Sequence, residues 1–267
     1  MSAGPRARAT GRAAALGALA LSALVPCALL ALWSLGRDWL YPALLPGRFT
    51  GEQWSALFDG GRLFGATVTS LGLGAGTGLL ACAVGLPVGR ALARAEGWRR
   101  HVGAALAFLP VAAPPIALAT GLQFSFLRLG LGGTAAGVLL AHAVPAAGYG
   151  TLYFLGVFSV FDSRLEDEAR SLGASPRQTL LRVVLPLLRR PLADGFLLGF
   201  LVSWSQVPLT LLVGGGAVRA LPIEVFALVR SGQDAAAATG ALVLLLPAVA
   251  ALAATRLGAA RTEVMAP

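Results

Sequence analysis

Long apolar runs decide what this chain can fold into. Its 267 residues are 57% hydrophobic and 12% charged, and the mean hydropathy is +0.76. Soluble domains carry about 25% charged residues. A helix needs about 20 mostly apolar residues to cross a bilayer, and runs of that length recur here between short polar segments. The sequence therefore predicts an integral membrane protein.

Six of these runs are long enough to span a bilayer as helices. The predicted spans are residues 13–35, 63–92, 102–126, 134–160, 192–213 and 235–257. Each contains proline, and Pro110, Pro114 and Pro115 break the third. Membrane helices tolerate proline where neighbouring segments satisfy the freed backbone groups. The predicted fold class is an all-α membrane protein with six transmembrane helices, and residues 1–267 form one transmembrane domain.

The first run begins like a secretory signal peptide, because Arg6, Arg8 and Arg12 precede it. Its apolar core is longer than that of a signal peptide. Trp33 and Trp39 near its end are typical of an anchor at the membrane interface. We therefore expect an uncleaved first transmembrane helix.

Glycines recur at alternate positions in the second span. Gly72, Gly74, Gly76 and Gly78 contain two pairs spaced four apart. A nucleotide-binding loop would directly follow a strand, and no strand is predicted before these glycines. Small residues at this spacing let membrane helices approach closely, so we interpret the glycines as a packing surface.

Arginine is unevenly distributed between the segments that connect the spans. All 21 basic residues are arginine. The segments before the first span and after the second, fourth and sixth hold 15 of them, and the remaining segments hold 6. The 15 include Arg90 and Arg256, which lie at the ends of the second and sixth spans and are counted with the segments that follow. The positive-inside rule then places both termini and the loop 161–191 in the cytoplasm. Topology also explains the net charge of +9 better than nucleic-acid binding does, because the arginines lie beside apolar runs.

Residue types that are missing or isolated exclude several kinds of chemistry. A phosphate-binding P-loop needs lysine, and the chain has none. ATP, if it drives the protein, must be bound by a partner, and no cofactor is expected in this chain. Cys27 and Cys82 lie in apolar runs and are expected to pack there. His101 and His142 lack a partner cluster for a metal or a nucleophile, so the sequence predicts no metal site and no enzyme.

The loop 161–191 has the pattern of two short helices, and the first begins near its start. Ser163 and Glu166 have the spacing of a capping box. Gly173 is placed to end that helix in the left-handed conformation common at helix C-termini.

A second helix is predicted directly afterwards. Ser175 and Gln178 have the spacing of another capping box, and Pro176 suits the first helical position. Pro186 is expected to bend or end this helix.

In this loop the chain resembles the permease subunits of binding-protein-dependent ABC importers. Their signature is Glu-Ala-Ala, three residues, Gly, nine residues, Ile, one residue and Leu-Pro. The residues that match its spacing here are Asp167-Glu168-Ala169, Gly173, Val183 and Leu185-Pro186. Asp167, Glu168 and Val183 depart from the family's residue types, and Glu168 adds a charge.

The resemblance implies a fold, partners and a mechanism. It implies a type I importer permease bundle in which this loop is the coupling helix that docks on an ATPase. The residues to which that role carries over are Asp167, Glu168, Ala169, Gly173, Leu185 and Pro186. The implied partners are ATPase subunits that bind ATP, a second permease that is identical or related, an extracytoplasmic substrate-binding protein and the bilayer, with no nucleic acid. The implied mechanism is alternating access, which passes a small solute across the cell membrane.

Few polar side chains lie inside the predicted spans. Ser203, Gln206 and Thr210 are spaced to share one face of the fifth helix, and Gln123 lies near the outer end of the third. Buried polar groups in lipid face protein or water. These residues therefore line a translocation path or bond a neighbouring helix. The family often has an acidic residue at the position of Gln206, so relatives do not indicate the substrate.

Two further features bear on the class of transporter. Glycines at 214–216 followed by Leu221-Pro222 are similar to the iron, thiamine and polyamine branch of these importers. Glu224 is expected to cap or anchor an outer loop, 214–233. The rival classes are a secondary transporter, which usually shows inverted repeats and charges at membrane depth, and an intramembrane enzyme, which needs a catalytic dyad or metal cluster. The sequence shows neither set of features.

Overall fold

The computed structural model describes residues 5–39 and 43–264, and this part of the chain is mostly helical. The helices are α1 Pro5–Leu35, α2 Glu52–Ala56, α3 Arg62–Arg94, α4 Gly97–Ala112, α5 Pro115–Arg128, α6 Ala135–Ser159, α7 Arg164–Ser171, α8 Pro176–Thr179, α9 Leu185–Leu187, α10 Arg189–Trp204, α11 Pro208–Gly214, α12 Leu221–Arg230 and α13 Asp234–Val264. A π-helical turn, Leu180–Val184, joins α8 to α9. Two-residue strands β1 Gly36–Arg37 and β2 Arg48–Phe49 pair antiparallel.

Several of these helices have the length and apolarity that a membrane crossing requires. Four qualify singly: Ala15–Leu35 within α1, then α3, then α6, and Asp234–Ala253 within α13. Two bent pairs, α4 with α5 and α10 with α11, would each add one span. The described chain thus has four candidate membrane helices, or up to six. The exact number of spans and the side on which the termini lie stay predictions.

In both bent pairs a proline lies in the break or directly after it. α4 and α5 meet at 94°. Ala113 and Pro114 between them are extended, with ψ of 135° and 128°, because a residue that precedes proline is disfavoured in the helical region. Pro110 stays inside α4. α10 and α11 meet at 63°, and α11 starts at Pro208.

The alternate glycines of α3 pack as predicted, with one exception. A Cβ atom added to Gly74 would lie 2.8 Å from the Phe200 ring, and one added to Gly78 would lie 2.7 Å from the Phe196 carbonyl oxygen, both on α10. Gly76 is similarly close to a leucine of α6. Gly72 faces open space in the described chain, so it takes no part in this packing.

A close contact of α3 with α6 lies further along the helix. A Cβ atom on Gly85 would be 2.6 Å from the carbonyl carbon of Gly150 on α6, and one on Gly89 would be 2.7 Å from the backbone nitrogen of Leu155. Real Cβ atoms do not approach other atoms this closely. Glycine therefore lets the backbones of α3 and α6 touch.

The described chain divides into two compact units. One comprises the described residues up to Phe64 with Glu224–Leu246, and the other comprises Gly65–Ile223 with the described residues from Pro247 onward. The second unit has an apolar core. Its buried members are Leu73, Ala119, Val138, Ala141, Leu209, Val213, Val218 and Ala220.

In the first unit, aromatic and charged contacts hold the connecting segments. The rings of Trp33 and Trp39 meet edge to face, with centroids 5.5 Å apart. Nη2 of Arg62 lies 2.9 Å from Oε1 of Glu224, whose side chain is 3% exposed. Glu224 lies on a helix, α12, where the sequence predicted an outer loop. The glycines on either side of this segment suggested a loop. Leu221–Arg230 itself contains no glycine and forms a helix.

Candidate functional site

The loop 161–191 folds as two short helices joined by a tight turn. α7 ends at Ser171, and Gly173 follows with φ of +86°. The backbone N–H of Gln178 donates to the Ser175 hydroxyl at 3.3 Å, and Oε1 of Gln178 accepts from the backbone N–H of Ser175 at 2.8 Å. The predicted left-handed glycine and the second capping box are confirmed.

The start of α7 differs from the prediction. Ser163 precedes the helix, but its side chain makes no capping hydrogen bond. Instead, Oδ1 of Asp162 accepts a hydrogen bond from the backbone N–H of Arg164 at 3.0 Å. The first predicted capping box is therefore wrong. Its acidic member, Glu166, turns towards α3, where two arginines offer charge-assisted hydrogen bonds that are stronger than a neutral cap.

Glu166 joins the loop to the end of α3. Its Oε2 lies 2.6 Å from Nη2 of Arg90 and 2.7 Å from Nη2 of Arg94. Arg170, one turn further along α7, approaches the same oxygen at 3.6 Å. The Glu166 side chain is 1% exposed, so these ion pairs are formed largely out of water. We call Glu166, Arg90 and Arg94 the arginine clamp, and it fixes α7 against α3.

The clamp also sets the charge state of its carboxyl. Burial alone would raise the pKa of Glu166, because it disfavours the charged form. The hydrogen bond from Arg94 and the charges of Arg90 and Arg94 outweigh burial and lower the pKa below the ordinary value of 4.5. Glu166 is therefore ionised at neutral pH.

The residues that carry the family signature lie on or near the loop surface. Asp167, Glu168, Gly173 and Pro186 are exposed, while Ala169 and Leu185 are partly buried. The chain continues helically through Pro186, and α9 ends one residue later. The π-helical turn comes directly before it, a widening that relieves the clash between a proline ring and the preceding helical turn.

The loop has one buried face and one exposed face. Thr179, Val184 and Leu188 are nearly fully buried. Leu172, beside the turn glycine, is 88% exposed, and Leu181 is 50% exposed. The loop is thus attached to the bundle on one side and presents apolar side chains on the other.

The polar residues of the fifth predicted span surround a buried histidine. Nδ1 of His142, on α6, lies 2.8 Å from Oγ of Ser203, and Nε2 lies 3.0 Å from Oγ1 of Thr210. Thr210 donates its own hydroxyl proton to the carbonyl of Gln206 at 2.9 Å. We therefore assign Nε2 as the donor to Thr210 and Nδ1 as the acceptor from Ser203. His142 thus uses both ring nitrogens in hydrogen bonds to these two hydroxyls.

The predicted arrangement of these residues on one helical face is wrong. The helix ends at Trp204 and restarts at Pro208, so Ser203 and Thr210 belong to different helices that His142 bridges. Gln206 lies in the break and is partly buried. Gln123 lies on α5, outside the described hydrogen bonds of this cluster. The role of these four residues in a translocation path stays a prediction.

Metal binding finds no support in the part of the chain that the structure describes. Residues 5–39 and 43–264 contain no group of three or more His, Cys, Asp or Glu side chains placed to hold an ion.

Comparison with known proteins identifies the family. A family model described as "Binding-protein-dependent transport system inner membrane component" matches residues 85–263. That range contains the loop, the clamp and the histidine cluster, and it is more than half of the chain. The protein therefore belongs to this family of inner-membrane permease components.

Named relatives are transport permeases rather than enzymes. The chain is 29% identical over 184 residues to the spermidine/putrescine permease protein PotC of Haemophilus influenzae, covering 69% of this chain and 72% of PotC. It is 32% identical over 209 residues to the molybdenum permease protein ModB of Mycobacterium tuberculosis, covering 73% and 78%. It is 30% identical over 216 residues to the trehalose permease protein SugB of Mycobacterium tuberculosis, covering 77% of each. PotC agrees with the predicted likeness to a polyamine branch.

A solved structure has the same fold. It is the crystal structure of a bacterial ABC transporter involved in the import of the acidic polysaccharide alginate, with a TM-score of 0.70 and 17% identity over 96% of this chain and 98% of that one. The same kind of transporter, in complex with a periplasmic protein bound to an alginate pentasaccharide, aligns with a TM-score of 0.62 and 13% identity over 91% and 94%. These likenesses confirm the importer-permease fold.

The arginine clamp is the feature that sequence reasoning missed. Glu166 was assigned to a local cap, and Arg90 and Arg94 were assigned to a connecting segment, although both lie in the last turns of α3. The available signal was an extra acid directly before the signature, with two arginines four residues apart at the end of the second span.

Proposed function

We propose that this chain is the membrane-spanning subunit of an ATP-driven importer and that the loop 161–191 receives the ATPase. The observation that carries this is the exposed tip of the loop. Leu172 is 88% exposed beside Gly173, yet the loop behind it is fixed to the bundle by the clamp. A fixed loop that exposes several apolar side chains, here Leu172 and Leu181, has the character of a partner-binding surface.

The proposed arrangement has six spans and both termini in the cytoplasm. It takes each bent helix pair as one span. The excess of arginine in the alternate connecting segments supports this orientation. The loop then lies on the side where ATP is available.

The ATP-driven step is assigned to partner subunits. The chain has no lysine, and a P-loop requires one. In the proposed mechanism the ATPase subunits close on ATP, displace the loop and switch the bundle between outward-open and inward-open states. No covalent bond is made or broken in this chain.

The proposed partners are two ATPase subunits, a second permease that is identical or related, and an extracytoplasmic binding protein that delivers the solute. The alginate transporter, which has the same fold, was solved with a periplasmic protein. The similar permeases are named for spermidine and putrescine, molybdenum and trehalose. Because these solutes share little chemistry, we propose a small solute without naming its class.

The test compares two leucines of similar exposure. Leu172→Asn removes the apolar tip of the loop, whereas Leu44→Asn alters a side chain that is 91% exposed in the segment proposed to lie outside. Each tagged variant is purified from native membranes, and ATP hydrolysis by the co-purified complex is measured per permease.

Leu172→Asn is expected to lose most of the bound ATPase and its hydrolysis, while Leu44→Asn keeps both. Equal retention of ATPase by both variants would contradict the assignment of the loop. Hydrolysis by the wild-type chain free of any partner would contradict the proposed function.

A further inference from the structure

α3 makes a buried polar contact near each of its ends. Near its C-terminus it holds Glu166 of α7 through Arg90 and Arg94. Near its N-terminus Ser70 accepts a hydrogen bond from the backbone N–H of Leu221, the first residue of α12, at 2.7 Å. Ser70 is 3% exposed and Leu221 is 0% exposed.

The contact at Ser70 fixes a helix end. The first N–H groups of a helix have no partner within that helix. Here the hydroxyl of Ser70, on another helix, supplies the partner. In an ordinary helix cap the partner is a side chain from the residue directly before the helix. The start of α12 is therefore attached to α3 rather than capped locally.

The contact at the other end is equally specific. Glu166 accepts from two arginines of α3 at 2.6 and 2.7 Å, and Arg90 is itself mostly buried. If α7 moved without α3, the Glu166 carboxylate would be pulled away from Arg90 and Arg94. Separating buried opposite charges is costly. Any movement of α7 is therefore transmitted to the end of α3.

The segment between the two contacts is one continuous helix. Ser70 and Arg94 are 24 residues apart within α3, which is about 36 Å at 1.5 Å per residue. That length exceeds the hydrocarbon core of a bilayer, which is about 30 Å thick. α3 thus connects the loop on one side of the membrane with the start of α12 on the other.

We infer that α3 transmits movement of the coupling loop to the outer segment that leads into α12, and that Glu166 and Ser70 are the positioning residues at its two ends. This inference rests on the proposed function, because the ATPase supplies the movement. It goes beyond that function by assigning the route and its end contacts.

The experiment measures whether nucleotide binding by the cytoplasmic ATPase changes the reactivity of a residue on the outer side. A single cysteine replaces Ala217, an exposed residue just before α12, in a chain carrying Cys27→Ala and Cys82→Ala. The complex with its ATPase is reconstituted in liposomes with the outer face accessible. An impermeant maleimide then labels the cysteine with and without ATP and vanadate inside the liposomes.

In the parent chain the nucleotide is expected to change the labelling rate by about fivefold or more, the low end of typical allosteric coupling. Glu166→Gln and Ser70→Ala should each bring the two rates close to equality while the ATPase stays bound. Arg94→Lys, which keeps a cation at a half-exposed site, should retain most of the response. Glu96→Gln, an exposed carboxyl beyond the end of α3, is the matched control and should behave like the parent.

The outcomes separate the two proposals. A parent complex that fails to bind the ATPase contradicts the proposed function. A parent complex with a full response that persists in Glu166→Gln and Ser70→Ala overturns the inference alone. An unfolded variant would also give equal rates, so only variants that retain the ATPase are compared, and Ser70→Ala decides the matter if Glu166→Gln fails to fold.

Discussion

At the level of single residues, Gly173 shows why the signature needs glycine at this position. Its φ of +86° lies in the left-handed region, and no atom lies within 4 Å of where a Cβ would be. Backbone strain, rather than crowding, is therefore what a larger side chain meets there. For an ordinary L-residue that strain is about 1–2 kcal/mol.

We expect Gly173→Val to distort the turn and weaken ATPase binding severalfold, and Gly173→Asn to be milder because asparagine tolerates this conformation. Gly156→Val is the control, since Gly156 is exposed, helical and free of neighbours within 4 Å. Co-purification of the ATPase ranks the variants. Equal binding by the Val and Asn variants of Gly173 would show that the backbone conformation does not matter.

The clamp predicts how stability depends on pH. The pKa of Glu166 is lower in the folded protein than its ordinary value of 4.5. The clamp's contribution is therefore complete above the unfolded-state pKa and is lost as the pH falls through the folded-state pKa.

We expect the wild-type chain to be more stable than Glu166→Gln by a constant margin between pH 6 and 8, and that margin to shrink below about pH 4.5. Thermal unfolding of both proteins in detergent across this pH range checks it. A margin that grows on acidification would contradict the assigned ion pairs.

Residues whose roles are local were predictable from the sequence, and residues with distant partners were not. Gly173 and the pair of Ser175 with Gln178 depend on neighbours within a few positions. Glu166 and His142 depend on partners 61 to 76 positions away, which spacing alone does not reveal.

At the level of helices, the break between α10 and α11 is held by His142. Its two nitrogens bond Ser203 before the break and Thr210 after it. Hydrogen bonds between membrane helices contribute about 0.6 kcal/mol on average and up to about 1.7 kcal/mol.

We expect Ser203→Ala to destabilise the chain by about 0.6–1.7 kcal/mol. The effect should largely vanish in a background where His142→Phe has already removed the bond. Ser125→Ala serves as the control, because that exposed hydroxyl bonds only its own helix in the described structure. Unfolding in mixed micelles measures all four variants, and additive effects of Ser203→Ala and His142→Phe would contradict the assigned bond.

Apolar length identified the long helices, because burial in lipid depends on composition averaged over many residues. The sharp bend at Pro114 was also predicted, since proline restricts its neighbour. The break before Pro208 was not predicted. Residues 205–207 have a composition that also occurs within continuous membrane helices. Helix α12 was missed for a related reason, since the glycines on either side suggested a loop.

At the level of the whole molecule, the proposed orientation makes a labelling prediction. Ser175 lies in the loop proposed to be inside, and Ala217 lies in a segment proposed to be outside, and both are exposed. Single cysteines at these positions, in a chain carrying Cys27→Ala and Cys82→Ala, should differ in intact cells. The cysteine at 217 should react with an impermeant maleimide, and the one at 175 should react only after the membrane is opened. Labelling of position 175 in intact cells would reverse the orientation.

At Gly85 and Gly150 no side chain separates the backbones of α3 and α6. Side chains at a helix interface can change rotamer to accommodate a small displacement, whereas two backbones in contact cannot move closer together. If α3 moves towards α6 as the inference requires, the two backbones meet directly, and the movement is passed to the helix that carries His142. The joint between α10 and α11, which His142 bridges, would then respond together with the outer segment.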